Sequence, residues 1–592
     1  MQQQRTEAER EKQAMTGYPS IDKPWLKYYS REAQAGVLPA STLYEQLWQN
    51  NQNNLGDTAL IYYGKKITYG ELFDRIEQTR NALLQKGVKK DDKVILYSLA
   101  TPESVYVIYA LCRIGAVADM INPIFDEKQI IERINETDAR VAILLDQFIE
   151  KADFILNKTC VKSIVVVPFG NSMPTWKRVA AHKKIAKKIP YIDAIIPWAD
   201  FLKGGARNDR TADEPFDKEQ TWIIVYSSGT TGASKGIMLT NEGIGATVLH
   251  YGQVFPYKRN NKVLNPEPIW FSTFVVILLI MPLTLGISVI LEPFFSPQTF
   301  AENIKKYKPN IVLGATSLWL HAMQKLKSFD FSGLYYPISG GEQILQRTEE
   351  AINSFLAEHG GRSALIKGWG MCELGGTVST ETADCRKSGS AGIPLLHVTV
   401  SAFDPESNEE KKCGERGELR VLSPARMKGY FKNENATREF FREDARGNRW
   451  GATGDIGYID TDGFVHVLGR KEDMFICNGR KGYGFDIEHV VLQNEDVNQC
   501  KAVCLEDARG LCRIVVHLVL EEDAVERKAE VIGALHRLCR DSLEADCVPC
   551  GYRIWDAFPV KSSGKRDVEQ LKSCRTGFCL PDRDGLREVL FE

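Results

Sequence analysis

No charge sign dominates this sequence. Across 592 residues, 75 Lys and Arg stand against 77 Asp and Glu, for a net charge of -2. A chain so balanced carries no long-range field to gather nucleic acid or an anionic membrane, and neither is expected as a partner. The basic run from Lys177 to Lys188 is short and reads as solvated surface. An apolar leader is missing too: Met1 to Ala14 is polar and charged, unlike a secretory signal. Cytoplasmic residence and reduced thiols are therefore expected for the 14 cysteines, nine of which fall between Cys477 and Cys579. The spacing of Cys547 and Cys550, with Cys500 and Cys504 nearby, leaves zinc as the sharper alternative to plain thiols.

A clean membrane span is also lacking. Ile269 to Phe295 is strongly apolar and nearly long enough to cross a bilayer, but Pro282, Thr284, Gly286 and Ser288 interrupt it. A buried helix to about Ile280, a turn, and a strand from Ile287 to Leu291 fit better. A membrane-anchored protein stands as the competing reading.

What is present is an ordinary globular mix, 43% hydrophobic and 26% charged, able to bury large cores. From Thr42 onward strands and helices alternate. Thr68 followed by Glu71 is a capping box that opens a helix to about Gln85. Val94 to Ser98, Val141 to Leu145 and Ser163 to Val167 read as buried strands, and Ser104 to Ile114 as a helix stopped by Gly115. Such alternation predicts mostly parallel sheets with helices on their faces. The character changes after Gly389. Glu418 to Leu422, Ile456 to Asp460 and Phe464 to Leu468 are short strands, the last two joined by the turn residues Thr461, Asp462 and Gly463. Beyond Arg470 a compact α+β segment follows, with helices near Phe485 to Gln493 and Ala529 to Ser542 around strands Lys501 to Leu505 and Arg513 to Leu520.

The most informative stretch is Trp222 to Gly236. An apolar strand runs into Ser227, Ser228, Gly229, Thr230, Thr231, Gly232, Ala233, Ser234 and Lys235. Glycines let backbone N–H groups turn toward an anion, hydroxyls add donors, and Lys235 adds a mobile positive charge. The spacing is not that of a Walker A loop. A plain Ser/Gly-rich turn is the bland alternative, and it leaves the hydroxyls, glycines and lysine behind a buried strand unexplained.

This loop resembles the phosphate-binding signature of the acyl-adenylate-forming superfamily of AMP-dependent synthetases and ligases. Further motifs appear in family order over roughly 42–571. Ser339, Gly340, Gly341 and Glu342 resemble the adenine-edge motif. Gly368, Trp369, Gly370, Met371, Cys372 and Glu373 resemble a pattern that usually reads Tyr-Gly-x-Thr-Glu; Cys372 replaces the usual Thr. The resemblance implies that Trp369 stacks on adenine and that Glu373 holds Mg²⁺. It further implies that Asp455 accepts the ribose hydroxyls, that Arg470 contacts ribose and phosphate, and that Glu472 occupies the hinge. Pro559 to Lys565 resembles the terminal catalytic loop, with Lys565 reaching the carboxylate and the α-phosphate. Lys565, Glu373 and Lys235 are thus the expected catalytic residues.

The fold class so implied is α/β. A polar extension over 1–41 precedes a large AMP-binding domain over 42–470, made of packed parallel-type sheets with helices and a small β-barrel-like subdomain. A small, mobile α+β domain over 471–592 completes it. The expected activity is ATP-dependent formation of an acyl-adenylate and then a thioester, with ATP, Mg²⁺ and coenzyme A as cofactors. A non-catalytic nucleotide-binding relative is the alternative of another class. Trp270, Phe271, Ser272, Thr273 and Phe274 carry no acid, which argues against an α-amino acid substrate. Trp270, Phe271, Phe274, Gly341 and Gly375 are expected to line a pocket for a fatty or aryl acid. Gly479 matches a glycine on the pantetheine path. Arg480, Tyr483, Asp486, Ile487 and Glu488 are also similar to fatty-acyl-AMP ligases, which leaves an acyl carrier protein as the alternative acceptor.

Overall fold

A computed structural model describes residues 15–184, 192–205, 212–227, 234–265, 268–294, 296–341, 344–444, 446–477, 480–507, 510–560, 566–583 and 585–591. The chain divides into two compact units, Met1–Thr453 with Tyr458–His466, and Gly454–Gly457 with Val467–Glu592.

The first unit opens with an arm over 15–41. It is less of a loose polar lead-in than its composition suggests, because Trp25 is fully buried. Tyr29 donates from its hydroxyl to the Pro394 carbonyl at 2.8 Å. Strands β1 (Thr58–Tyr62) and β2 (Lys65–Thr68) form a hairpin. Its turn places Tyr63 and Gly64 at positive φ, as the twist of a tight hairpin demands. The capping box at Thr68 and Glu71 forms, and the helix Tyr69–Gln85 follows.

Strands β3 (Lys93–Tyr97), β4 (Val117–Met120), β5 (Val141–Leu145), β6 (Ser163–Val167), β7 (Ile195–Pro197), β8 (Thr221–Tyr226) and β9 (Gly236–Thr240) make a seven-stranded sheet in the order β7-β6-β5-β3-β4-β8-β9. All neighbours are parallel except β8 and β9, which form an antiparallel hairpin. Apart from Asp119 on β4, the interior residues of the parallel strands are almost all apolar, as burial between helical layers requires. The helix Pro102–Ile114 ends at Gly115, whose φ of 75° is the left-handed cap.

Strands β10 (Lys262–Asn265), β11 (Ser288–Leu291), β12 (Ile311–Leu313), β13 (Tyr336–Gly340), β14 (Ile366–Trp369), β15 (Ser379–Thr380) and β16 (Ile393–Pro394) return to the first hairpin. They give a nine-stranded sheet in the order β16-β15-β14-β13-β12-β10-β11-β1-β2. The apolar stretch after Ile269 is a π-helix over Thr273–Ile280, followed by a short α-helix Met281–Thr284. It runs one turn past the expected stop, continuing through Pro282 with Ile280 and Met281 both in helical conformation. Among the described residues no helix is long and apolar enough to cross a membrane.

Strands β17 (Thr399–Phe403), β18 (Gly417–Leu422), β19 (Phe441–Glu443), β20 (Arg449–Ile459) and β21 (Val465–Arg470) make the antiparallel region. Strand β20 begins seven residues before its expected start. Gly451, Gly454 and Asp455 are poor strand formers on propensity alone, and sheet pairing overrides that preference. In the second unit, β22 (Met474–Cys477) pairs β23 (Arg480–Tyr483). Strands β24 (Val497–Glu506), β25 (Cys512–Leu520), β26 (Tyr552–Ile554), β27 (Phe578–Asp582) and β28 (Gly585–Val589) form a sheet in sequence order. The helices Gly484–Val491 and Lys528–Ser542 share its core. One expectation fails here: Cys504 and Cys512 form a disulfide rather than free thiols. They lie across the β24–β25 ladder with Cα atoms 5.6 Å apart, a proximity that spacing along the chain did not reveal. Among the described residues no group of three or more His, Cys, Asp or Glu could hold a metal ion.

Candidate active site

The hairpin of β8 and β9 presents the hydroxyl-rich loop. Ser228, Gly229, Thr230, Thr231 and Gly232 lie outside the described residues, but the loop's two roots are tied together. Ser227 donates its N–H to the Lys235 carbonyl at 3.0 Å, and Lys235 donates its own N–H to the Ser227 hydroxyl at 3.1 Å. Ser234 donates its hydroxyl to the Ser227 carbonyl at 2.6 Å. These three bonds fix where the loop leaves the sheet.

The free edge of β9 is covered by the segment 428–431. Met238 donates to Gly429, Lys428 to Met238, and Phe431 to Gly236, at 2.7–3.1 Å. This added strand brings Tyr430 beside Lys235, whose ammonium sits 5.1 Å from the centre of the phenol ring. Tyr430 also donates its hydroxyl to Glu373 Oε1 at 2.9 Å, and Met427 donates its N–H to the Glu373 carbonyl at 2.8 Å. Glu373 is 7% exposed. Burial first, and then the adjacent Glu373 carboxylate, push the Tyr430 phenol well above its ordinary range, so it stays a donor. One exposed cation and one buried carboxylate, which the sequence placed 138 positions apart, thus share a single tyrosine.

The turn carrying Glu373 follows β14. Trp369 is half-buried at the strand end. Cys372 opens a short 3₁₀ turn, Cys372–Leu374, closed by Gly375 at φ 76°. A Cβ on Gly370 would meet the Thr377 Cα at 2.5 Å and the Gly376 carbonyl at 2.6 Å, so only glycine lets the chain fold back here. A Cβ on Gly376 would touch Thr273 and Ile277, which seats this turn against the π-helix. Of the expected acyl-pocket residues just before that helix, Trp270 is buried, while Phe271 and Phe274 are half-buried with ring centroids 6.3 Å apart. Gly341, at φ 86° after β13, is exposed with open space where a side chain would stand. Glu342 lies outside the described residues.

In the second unit Arg470 donates to Asp455 Oδ1 at 2.8 Å, so the two residues assigned to the ribose by resemblance are brought together. Glu472 sits in the turn Lys471–Asp473, 3.8 Å from Arg470. Lys501 is nearly buried between Asp473 at 2.6 Å and Glu488 at 3.1 Å, and these carboxylates hold its ammonium above the usual range despite burial. Gly479 and Lys565 lie outside the described residues. Sequence reasoning missed both Tyr430 and the Lys501 group. The Lys501 group has no local signature, and only tertiary pairing along β9 discloses Tyr430.

A family profile described as AMP-binding enzyme matches residues 47–431. The long-chain-fatty-acid–CoA ligase of Bacillus subtilis (strain 168) is 25% identical over 554 residues, covering 92% of this chain and 96% of the relative. The long-chain-fatty-acid–CoA ligase of Salmonella typhi is 26% identical over 565 residues, covering 92% and 97%. Among solved structures, the anthranilate CoA ligase AuaEII in complex with anthranoyl-AMP superposes with a TM-score of 0.76 at 22% identity, covering 90% of this chain and 98% of that one. At that identity the likeness speaks to the fold.

Proposed function

Because this chain belongs to the AMP-binding enzyme family, we propose that it is an AMP-forming acid–thiol ligase. It activates a fatty or aryl carboxylic acid with ATP and passes the acyl group to coenzyme A. A carrier protein's phosphopantetheine is the alternative thiol. The observation that carries this reading is the Lys235–Tyr430–Glu373 arrangement beside the tied loop, with an apolar segment against the same turn. The names of the full-length relatives and the lack of an acid in Trp270 to Phe274 support the choice of acid.

The residues present fit a nucleotide. Gly341 leaves room for a planar base to approach backbone, and Trp369 offers a ring at the adjoining strand end. A single buried carboxylate suits a magnesium ion that takes its remaining ligands from phosphates and water, so Glu373 would hold it. Bound there, magnesium supplies charge neutralisation between the phosphates.

The substrate carboxylate is itself the nucleophile. Its oxygen forms a bond to the α-phosphorus, and the bond to pyrophosphate breaks. Two like charges about 4 Å apart repel by roughly 4 kcal/mol at an effective dielectric near 20, so fixed positive charge and positioning are the main requirements. Lys235 faces solvent at the loop exit and supplies a charge there. Tyr430 keeps the Glu373 carboxylate oriented. Asp455 offers acceptors to the ribose diol, and Arg470 shares its charge between Asp455 and the nucleotide. Lys565 approaches the reacting carboxylate, Glu472 serves as the hinge, and Gly479 gives the thiol its path. A panel of fatty and aryl acids should elicit pyrophosphate release with at least one member. Lys565→Ala should slow that release about 10²–10³-fold while nucleotide binding survives. Undiminished pyrophosphate exchange in Lys565→Ala would refute the assignment.

A further inference from the structure

A carboxylate lies buried beside the end of β8. Asp119, on β4, is fully buried, and β4 pairs β8 in register Asp119 with Ile224. Tyr226, the last residue of β8, donates its hydroxyl to Asp119 Oδ1 at 2.9 Å. Thr137, at the end of the helix Glu127–Thr137, donates to Oδ2 at 3.0 Å. Its register neighbour on β3 is Ile95, and Ile95, Tyr97, Ile121, Ile130 and Ile134 belong to the apolar core built on these elements. Among the described residues the charged groups that act on Asp119 are Glu136 and Arg133 of the same helix, which pair with each other. The Arg133 guanidinium lies 5.9 Å from the Tyr226 ring centre.

Burying a carboxylate among isoleucines is costly, and an apolar residue would pack there more cheaply. What the carboxylate provides is a fixed anchor for the Tyr226 hydroxyl, one residue before Ser227 enters the tied root of the loop. We propose that Asp119 is a positioning residue for the phosphate loop, bracing the end of β8 through Tyr226. The proposal rests on the reading of 227–235 as nucleotide-binding.

The brace has a second property. Burial pushes the Asp119 carboxyl up to about 7, outweighing its two hydroxyl bonds. Above that value both oxygens accept a hydroxyl; below it a proton on one oxygen competes with a donor. The folded-state value exceeds the ordinary 3.8, so ionisation costs stability progressively as pH rises from 3.8 to about 7. The loop is therefore best braced in the form that is less stable overall.

The test is calorimetric titration of ATP with magnesium, below and above neutrality, on the full chain, Asp119→Asn and Tyr226→Phe, alongside pyrophosphate exchange. The nucleotide's own terminal phosphate ionises in a similar range, so each variant is read against the parent. The parent should lose about three- to tenfold in ATP affinity as pH falls through neutrality, beyond any loss in Asp119→Asn. Tyr226→Phe should bind ATP more weakly at every pH with that extra slope gone, and its kcat at saturating ATP should be close to the parent's. Tyr226→Phe binding ATP as tightly as the parent at every pH would overturn the brace, and intact exchange would leave the ligase reading standing. ATP binding with the expected slopes but no pyrophosphate from any acid would overturn the ligase reading and leave the brace. Should Asp119→Asn fail to fold, Tyr226→Phe decides alone, and parent-like ATP affinity in it contradicts the proposal.

Discussion

Glu373 and Lys235 sit on the same tyrosine, yet the protein holds them in opposite ways. Glu373 is fastened by the Tyr430 hydroxyl, by the Met427 N–H on its carbonyl, and by a turn that needs glycine at Gly370, Gly375 and Gly376. Among the described residues Lys235 is fastened through its backbone, at the loop root, while its exposed side chain lies over the Tyr430 ring. An anion that must orient a divalent ion tolerates little displacement, because ligand geometry sets affinity. A lysine that screens phosphates acts as a point charge on a flexible stem and tolerates far more. On the roles proposed for these two residues, fixing is applied where geometry is demanded and withheld where only charge is needed.

The contrast can be broken at either end. Glu373→Gln keeps the shape and the Tyr430 contact but removes the charge; pyrophosphate release should fall about 10²–10³-fold, and raising magnesium should restore little of it. A loss below tenfold would mean that the fixed carboxylate is structural. Lys235→Ala should act more mildly, raising KM for ATP about tenfold with a smaller change in kcat, as expected for one exposed charge. An effect equal to that of Glu373→Gln would erase the proposed difference. Tyr430→Phe sharpens the comparison further. It deletes the bond to Glu373 but keeps the ring under Lys235, so it should cost about 1 kcal/mol in kcat/KM, roughly fivefold, and shift the magnesium dependence rather than the ATP dependence.

Much of this was legible in the sequence wherever signals are local. The capping box at Thr68, the left-handed cap at Gly115 and the runs Val141 to Leu145 and Ser163 to Val167 depend on neighbours a few residues away, and the structure places them as expected. The α/β architecture followed from them. Strand β20 was foreseen only in its last third, since Gly451, Gly454 and Asp455 are poor strand formers until a neighbouring strand pairs with them. The π-helix at Thr273 had no periodic signature, because an all-apolar run gives no face to count. Tyr430 and Asp119 were invisible for a related reason. Each acquires its meaning from a partner more than 50 residues away, Glu373 in one case and Tyr226 in the other. The cysteine pair Cys504 and Cys512 was misjudged on the same ground, as pairing follows strand register rather than spacing.

The central claim is that these residues join an acid to the α-phosphate of ATP. Incubating the full chain with ATP, magnesium and a mixture of fatty and aryl acids, then weighing the retained ligand by mass spectrometry, addresses it without assuming the substrate. The account predicts a retained acyl-adenylate from one acid or a narrow set, absent when Glu373→Gln is used. Recovery of intact ATP alone, or of ADP, with every acid left unmodified would contradict it.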